Sequence, residues 1–173
     1  MTNVKIWSPN AQRVTLILAD TEEEIELARE GEHFVIRQPL AIGTRYFVSI
    51  DGGMRLPDPR SMCQPEGPHG PTEVVDPAQF EWTDSTWTGQ SLMGKIFYEL
   101  HVGTFTQAGT FRSAIDRLDY LKDLGVDVVQ LMPIAPMPGE RGWGYDGVSI
   151  YALHDPYGRP EDLVALVDAI HAR

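Results

Sequence analysis

The sequence predicts a chain of two parts, an antiparallel β-sandwich followed by the first βα units of a parallel α/β sheet. Three observations predict it. Up to about Gly89 the apolar residues fall in short runs separated by turn residues, as in an all-β domain. A proline-dense segment follows those runs, and from Lys95 onward strand-like and helix-like patterns alternate, the one-dimensional form of a parallel sheet with crossover helices. The 173 residues suffice for one ordinary domain or two small ones. We assign 1–89 to the sandwich, with its Pro-rich connector over about 54–89, and 90–173 to the α/β part.

The first strands are expected at Val14 to Leu18, Phe34 to Ile36 and Tyr46 to Ile50. In the last of these, β-branched and aromatic residues suit a pleated strand, and Asp51-Gly52-Gly53 can supply the positive φ of a tight turn. Pro57, Pro59, Pro65, Pro68, Pro71 and Pro77 then fix too many φ angles and remove too many N–H donors for a helix or a central strand. An ordered, extended connector is expected there, either a plain linker or, because Val74, Val75, Phe80, Trp82 and Trp87 would need burial, a strap lying across a domain interface.

Lys95 to Val102 reads as the first parallel strand. From Thr110 to Leu124, Phe111, Ala114, Ile115, Leu118, Leu121 and Leu124 recur at three- and four-residue spacing and predict one helix, ended by Gly125 in a left-handed conformation. Val126 to Met132 is a nearly continuous apolar run, expected of a strand buried on both faces. Pro160 suits a first helical turn, Glu161 and Asp162 complement its positive end, and Leu163, Leu166, Val167 and Ile170 make the apolar stripe of a last helix.

Fourteen Lys and Arg against 25 Asp and Glu give a net charge of −11, and no basic run offers a phosphate-tracking surface, which argues against nucleic acid as a partner. No apolar window approaches the roughly 18 residues of a membrane span, and MTNVKIWSPN lacks the pattern of a leader peptide. The expectation is a soluble, cytoplasmic protein without a membrane partner. Cys63 stands alone, so neither an intrachain disulfide nor a CxxC cage is available. His69, His154 and Asp155 lack metal-ligand spacing, and no metal or cofactor is expected. Gly142-Trp-Gly-Tyr-Asp-Gly has the spacing of a phosphate loop but does not lie at a strand-to-helix turn, so the match is accidental.

Chemistry points to the long loop Pro133 to Tyr151. Gly142, Gly144 and Gly147 flank Trp143 and Tyr145 and would let the backbone fold tightly while aromatic faces point outward. Such faces beside polar groups suit sugar rings; the same two residues could equally plug the end of a barrel or sheet. His101 ends the first strand, at the edge where α/β ligands bind, and is read either as a site residue or as a structural hydrogen-bond donor. Glu99 and Asp146 are the carboxylates nearest this edge, and strand alternation turns Glu99 away from the face that carries Leu100.

The combination Ile96-Phe97-Tyr98-Glu99-Leu100-His101-Val102-Gly103-Thr104-Phe105, Leu131-Met132-Pro133, Gly144-Tyr145-Asp146 and Tyr157-Gly158 resembles the opening of the catalytic barrel in the alpha-amylase superfamily. Leu56-Pro57-Asp58-Pro59-Arg60-Ser61, Gln64 to Pro71 and Arg141 to Gly147 make it most similar to the malto-oligosyltrehalose trehalohydrolases. The resemblance implies an immunoglobulin-like sandwich followed by the start of a (β/α)8 barrel. It also implies a retaining hydrolase that releases trehalose from maltooligosyl trehalose by cleaving an α-1,4 bond, with two carboxyl groups roughly 5 to 5.5 Å apart as nucleophile and acid. Those carboxyls belong to the fourth and fifth strands of such a barrel. The 79 residues from Lys95 to Arg173 hold about two and a half units at about 31 residues each, so no catalytic residue is expected here. What the resemblance carries over is substrate binding: Tyr145 stacking on the sugar at the cleavage subsite, Trp143 and Asp146 beside it, and His101 on the floor with Pro133. A malto-oligosaccharide or maltooligosyl trehalose is the implied partner. Three alternatives stay open: a glucan-branching enzyme, a carbohydrate-binding module using Trp7, Trp82 or Trp87, and a pseudo-enzyme or interaction domain that retains only the first barrel units. The exposed edges of a partial barrel also predict self-association.

Overall fold

A computed structural model describes residues 4–173. Residues 1–3, which open both the sandwich assignment and the stretch read for a leader, lie outside the described residues. Two compact units emerge, one running up to Asp76 and including Val148–Ala152, the other formed by Pro77–Gly147 and Leu153–Arg173.

The first unit is two facing antiparallel sheets. One holds β1 (Lys5–Trp7), β5 (His33–Val35) and β4 (Ala28–Glu30); the other holds β3 (Glu24–Glu26), β2 (Val14–Leu18), β6 (Arg45–Ile50) and β7 (Thr72–Glu73), each in that order. The central pair β2 and β6 sets Leu16 opposite Val48. Both side chains are buried, with Ile6, Val14, Phe34 and Val74 completing the core. The hairpin signal is realised locally: Asp51 and Gly52 take positive φ, and Asp51 Oδ1 accepts from the N–H groups of Gln12 and Arg13 at 2.8 and 2.7 Å. Trp7 is exposed, its Nε1 donating to Glu32.

The proline-dense segment is more than a strap. Leu56 bridges to Val48, and Thr72–Glu73 forms β7 on the edge of β6, so the first part of the segment extends the sandwich sheet. Residues 77–89 pack in the second unit, where the Thr83 N–H and hydroxyl donate to Asp168 at 2.8 and 2.7 Å. Trp87 stacks on His171 with centroids 3.7 Å apart, and Asp84 meets His171 Nδ1 at 2.6 Å. The expected burial holds for Val74 alone of the group; Trp82 and Trp87 remain about half exposed because each packs one ring face or edge and leaves the other to solvent.

A buried polar pair ties β6 to this segment. The Tyr46 hydroxyl donates to Asp58 Oδ2 at 2.7 Å, while Asp58 Oδ1 accepts from the Arg60 N–H at 2.8 Å. Burial, reinforced by the Asp58 charge, drives the Tyr46 pKa far upward, so the phenol stays protonated as the donor. Removing only the hydroxyl in Tyr46→Phe leaves Asp58 short of a donor, and we expect a loss of about 1–3 kcal/mol in denaturant unfolding of this unit. An unchanged midpoint would show that water replaces the phenol there.

In the second unit β8 (Phe97–Leu100) runs parallel to β9 (Val128–Leu131) in register, Leu100 beside Leu131. Three helical turns, α1 (Val102–Phe105), α2 (Phe111–Ile115) and α3 (Leu118–Asp123), lie between them, and α4 (Pro160–His171) follows. Three expectations are corrected. The strand from Lys95 stops at Leu100, and Val102–Phe105 instead forms a short helical turn, α1, with His101 as its N-cap. The single helix predicted from Thr110 to Leu124 is broken at Asp116 and Arg117, the latter with φ −109° and ψ 0°. Phe111, Ala114, Leu118 and Leu121 are buried despite the break, whereas Leu124 is exposed. Thr110 starts α2 with a reciprocal cap to Ser113, and Gly125 takes φ +89° where α3 ends. Finally, β9 is only half buried, with Gln130 exposed, because β8 is its single strand neighbour among the described residues. Pro160, Glu161 and Asp162 open α4 as expected. No helix among the described residues is long and apolar enough to cross a membrane.

Candidate functional site

The register of β8 and β9 brings His101 and Pro133 to the same carboxyl edge, joined by the Met132 N–H donating to the Leu100 carbonyl at 2.9 Å. From Pro133 the chain makes the long glycine-rich excursion, and its glycines are required by close approach as much as by turning. A Cβ on Gly144, which has φ +79°, would stand 2.9 Å from the Pro133 carbonyl oxygen. One on Gly142 would stand 2.9 Å from Sδ of the buried Met137. Folded back this tightly, the loop leaves Trp143 and Tyr145 with 74% and 70% of their surface exposed. Among the described residues neither ring packs over the end of the β8–β9 sheet.

His101 holds the loop in place. Its Nε2 lies 2.8 Å from the Gly142 carbonyl oxygen and 3.2 Å from the Tyr157 hydroxyl, and its Nδ1 lies 3.0 Å from the Thr104 hydroxyl. A carbonyl can only accept, which places a ring proton on Nε2. The residue immediately before Trp143 is thus fastened to the end of β8. Tyr157, buried and packed edge-on against His101 and Phe111, backs the imidazole, and burial raises its pKa. Gly103 belongs to the same arrangement, since a Cβ there would meet the Tyr157 ring at 2.9 Å.

Of the four residues expected to bind substrate, His101 meets the loop through backbone, whereas Trp143, Tyr145 and Asp146 are exposed and have no hydrogen-bond or ion-pair partner among the described residues. Glu99 does not join them. It is exposed on the strand, with Gln130 Nε2 donating to it at 3.5 Å. Sequence reasoning missed the parts played by Tyr157, Thr104 and the Gly142 carbonyl. Contacts across 56 and 41 residues leave no mark in spacing. No cluster of three or more His, Cys, Asp or Glu among the described residues could hold a metal ion.

His154 sits under the same loop, buried, with no hydrogen-bond partner for Nε2. Burial holds its pKa below the usual imidazole value, against a hydrogen bond with the Glu140 backbone and the charge of Asp155. The unfolded chain accordingly takes up a proton at higher pH than the native one, so this contribution to stability is complete above about pH 6.5 and falls as pH drops through it. We expect the thermal midpoint to decline below that pH, well before carboxylates titrate near about pH 4, and expect His154→Gln to flatten the decline. Equal slopes for the two proteins would remove His154 as the cause.

Residues 74–173 match the alpha amylase, catalytic domain, family model. The chain belongs to the alpha-amylase family. Over 98% of its length this family member is 46% identical to a malto-oligosyltrehalose trehalohydrolase from Deinococcus radiodurans, of which it covers 28%. It is 46% identical over 97% of its length to another from Arthrobacter ramosus, of which it covers 30%. The crystal structure of a Salmonella typhimurium protein assigned as an alpha amylase superposes with a TM-score of 0.90 at 42% identity, covering 98% of this chain and 29% of that one. The chain spans less than a third of the length of the curated relatives it matches.

Proposed function

We propose that this chain is the N-terminal part of a retaining glycoside hydrolase that releases trehalose from maltooligosyl trehalose, acting in the cytoplasm. It contributes substrate-binding surface and none of the catalytic carboxyls. The reading rests above all on one observation, the exposed Trp143 and Tyr145 pair on a glycine-hinged loop fixed by His101 to the edge of the parallel sheet. An aromatic face receives the C–H side of a pyranose, Asp146 accepts from its hydroxyls, and His101 keeps the platform from moving. In this reading the sandwich is immunoglobulin-like, with its Pro-rich connector ending near residue 89, and the (β/α)8 barrel starts at about residue 90. The trehalohydrolase relatives at 46% identity favour this reading over a branching enzyme or a stand-alone binding module.

The test is to incubate the enzyme that contains this chain with maltooligosyl trehalose and with maltotetraose. Release of trehalose from the first with retention at the anomeric carbon supports the reading; formation of branched glucan, or no turnover of either, overturns it. Made alone, the 173 residues present β8 and β9 with unpaired outer edges and leave Ile96 and Phe97 about half exposed, so the chain is expected to self-associate. A single monomeric boundary in sedimentation velocity over a wide concentration range would count against that.

A further inference from the structure

The sandwich unit contains an open cavity of about 270 Å³ that takes Tyr151, the last residue of the long loop, into its lining but neither Trp143 nor Tyr145. We propose that it binds one neutral sugar ring. Its size falls just below the roughly 300–1,000 Å³ of drug-sized sites, room for a ring and not for a chain. Its lining decides the chemistry. Asp58 stands in the wall with its carboxylate already oriented by Tyr46 and the Arg60 N–H, each oxygen keeping capacity for a further donor. Lys5 and Arg60 also line the space, and neither side chain has a hydrogen-bond or ion-pair partner among the described residues. Tyr151 contributes a ring 59% exposed, and Val74 a buried apolar wall.

Each simpler class of ligand meets an opposing group. An inorganic anion that pairs with Arg60 and Lys5 faces the carboxylates of Asp58 and Glu73 in the same walls, and a cation faces Arg60 and Lys5. A hydrocarbon would strip water from all four charges without replacing it. A pyranose satisfies the set, because its hydroxyls donate to Asp58, accept from Arg60 and Lys5, and its C–H face packs on Tyr151. The Tyr46 to Asp58 bond is made before any ligand arrives, so little ordering is required on binding. None of this rests on the reading of the barrel loop.

Methionine methyl groups give each place its own reporter. Met62 lines the cavity, and Met137 lies under Gly142 at the loop. With ¹³C-methyl methionine in the 173-residue chain, whose methyl signals stay sharp even in large particles, maltose is expected to shift Met62 saturably. Inorganic phosphate at the same concentration should leave it in place. Tyr151→Ala and Arg60→Ala, both exposed and outside the core, should each weaken the Met62 response about tenfold, the loss of one good contact, without altering Met137. A Met62 signal that stays still while Met137 moves overturns the cavity proposal and leaves the loop reading intact. The reverse pattern upholds the cavity and removes the loop. Movement of Met62 with phosphate in place of maltose also overturns it.

Discussion

Tyr145→Ala is expected to lower kcat/KM for maltooligosyl trehalose by about 2 kcal/mol or more, roughly thirtyfold, in the enzyme that contains this chain. The size of the effect comes from position. Tyr145 is 70% exposed, has no hydrogen-bond or ring partner among the described residues, and follows Gly144, whose backbone is pinned against Pro133. Its ring is held in place by the loop and not by contacts of its own, so truncation removes a sugar-binding face while leaving the fold within about 0.5 kcal/mol of the parent. If the ring orients the reacting sugar, kcat falls as well as KM rising; if it only adds uniform affinity, KM alone moves. Tyr145→Phe should keep most of the activity, because stacking uses the ring and not the hydroxyl. Equal kcat/KM for Tyr145→Ala and the parent would remove Tyr145 from the substrate surface.

Phe111→Ala is expected to destabilise the second unit by about 3–5 kcal/mol in denaturant unfolding, the cost of a large cavity in a packed core. Phe111 is fully buried and meets Tyr157 edge-to-face at 6.1 Å, and Tyr157 in turn backs His101 at 3.2 Å from Nε2. The cavity therefore opens behind the residue that fastens the loop. Beyond the stability loss, the Met137 methyl signal should broaden or split as the Gly142 anchor loosens. Phe111→Leu, which refills most of the volume, should cost less than about 1.5 kcal/mol and keep the Met137 signal single. A loss below about 1 kcal/mol for the alanine variant would mean that the core around α2 collapses onto the gap.

Much of the site was legible residue by residue. The glycine-flanked pair Trp143 and Tyr145 fitted an outward-facing aromatic surface and a plug equally well, and Tyr145 and Asp146 fell within a motif specific enough to suggest sugar chemistry. His101 was legible only as a strand-end residue with two possible roles. Its contact with the Gly142 carbonyl favours the loop-holding one, since the ring spends its proton on backbone and leaves none for a substrate on that nitrogen. The break in the predicted helix was invisible for a different reason. Apolar spacing records which residues face the core, and Phe111, Ala114, Leu118 and Leu121 do so whether the backbone between them is one helix or two.

The sequence by itself determined the local grammar: β2 to the residue, the Asp51-Gly52 turn, Gly125 at the end of α3, Pro160 at the start of α4, and the change from β to alternating α/β near Lys95. These depend on side-chain period, φ preference and capping, all set within a few neighbouring residues. Tertiary structure alone decided that the proline-dense segment adds β7 to the sandwich, that the Tyr46 hydroxyl donates to Asp58 in the cavity wall, and that Tyr157 braces His101. Those outcomes join residues separated by tens of positions, and they are fixed by which polar groups must find partners once the two cores exclude water.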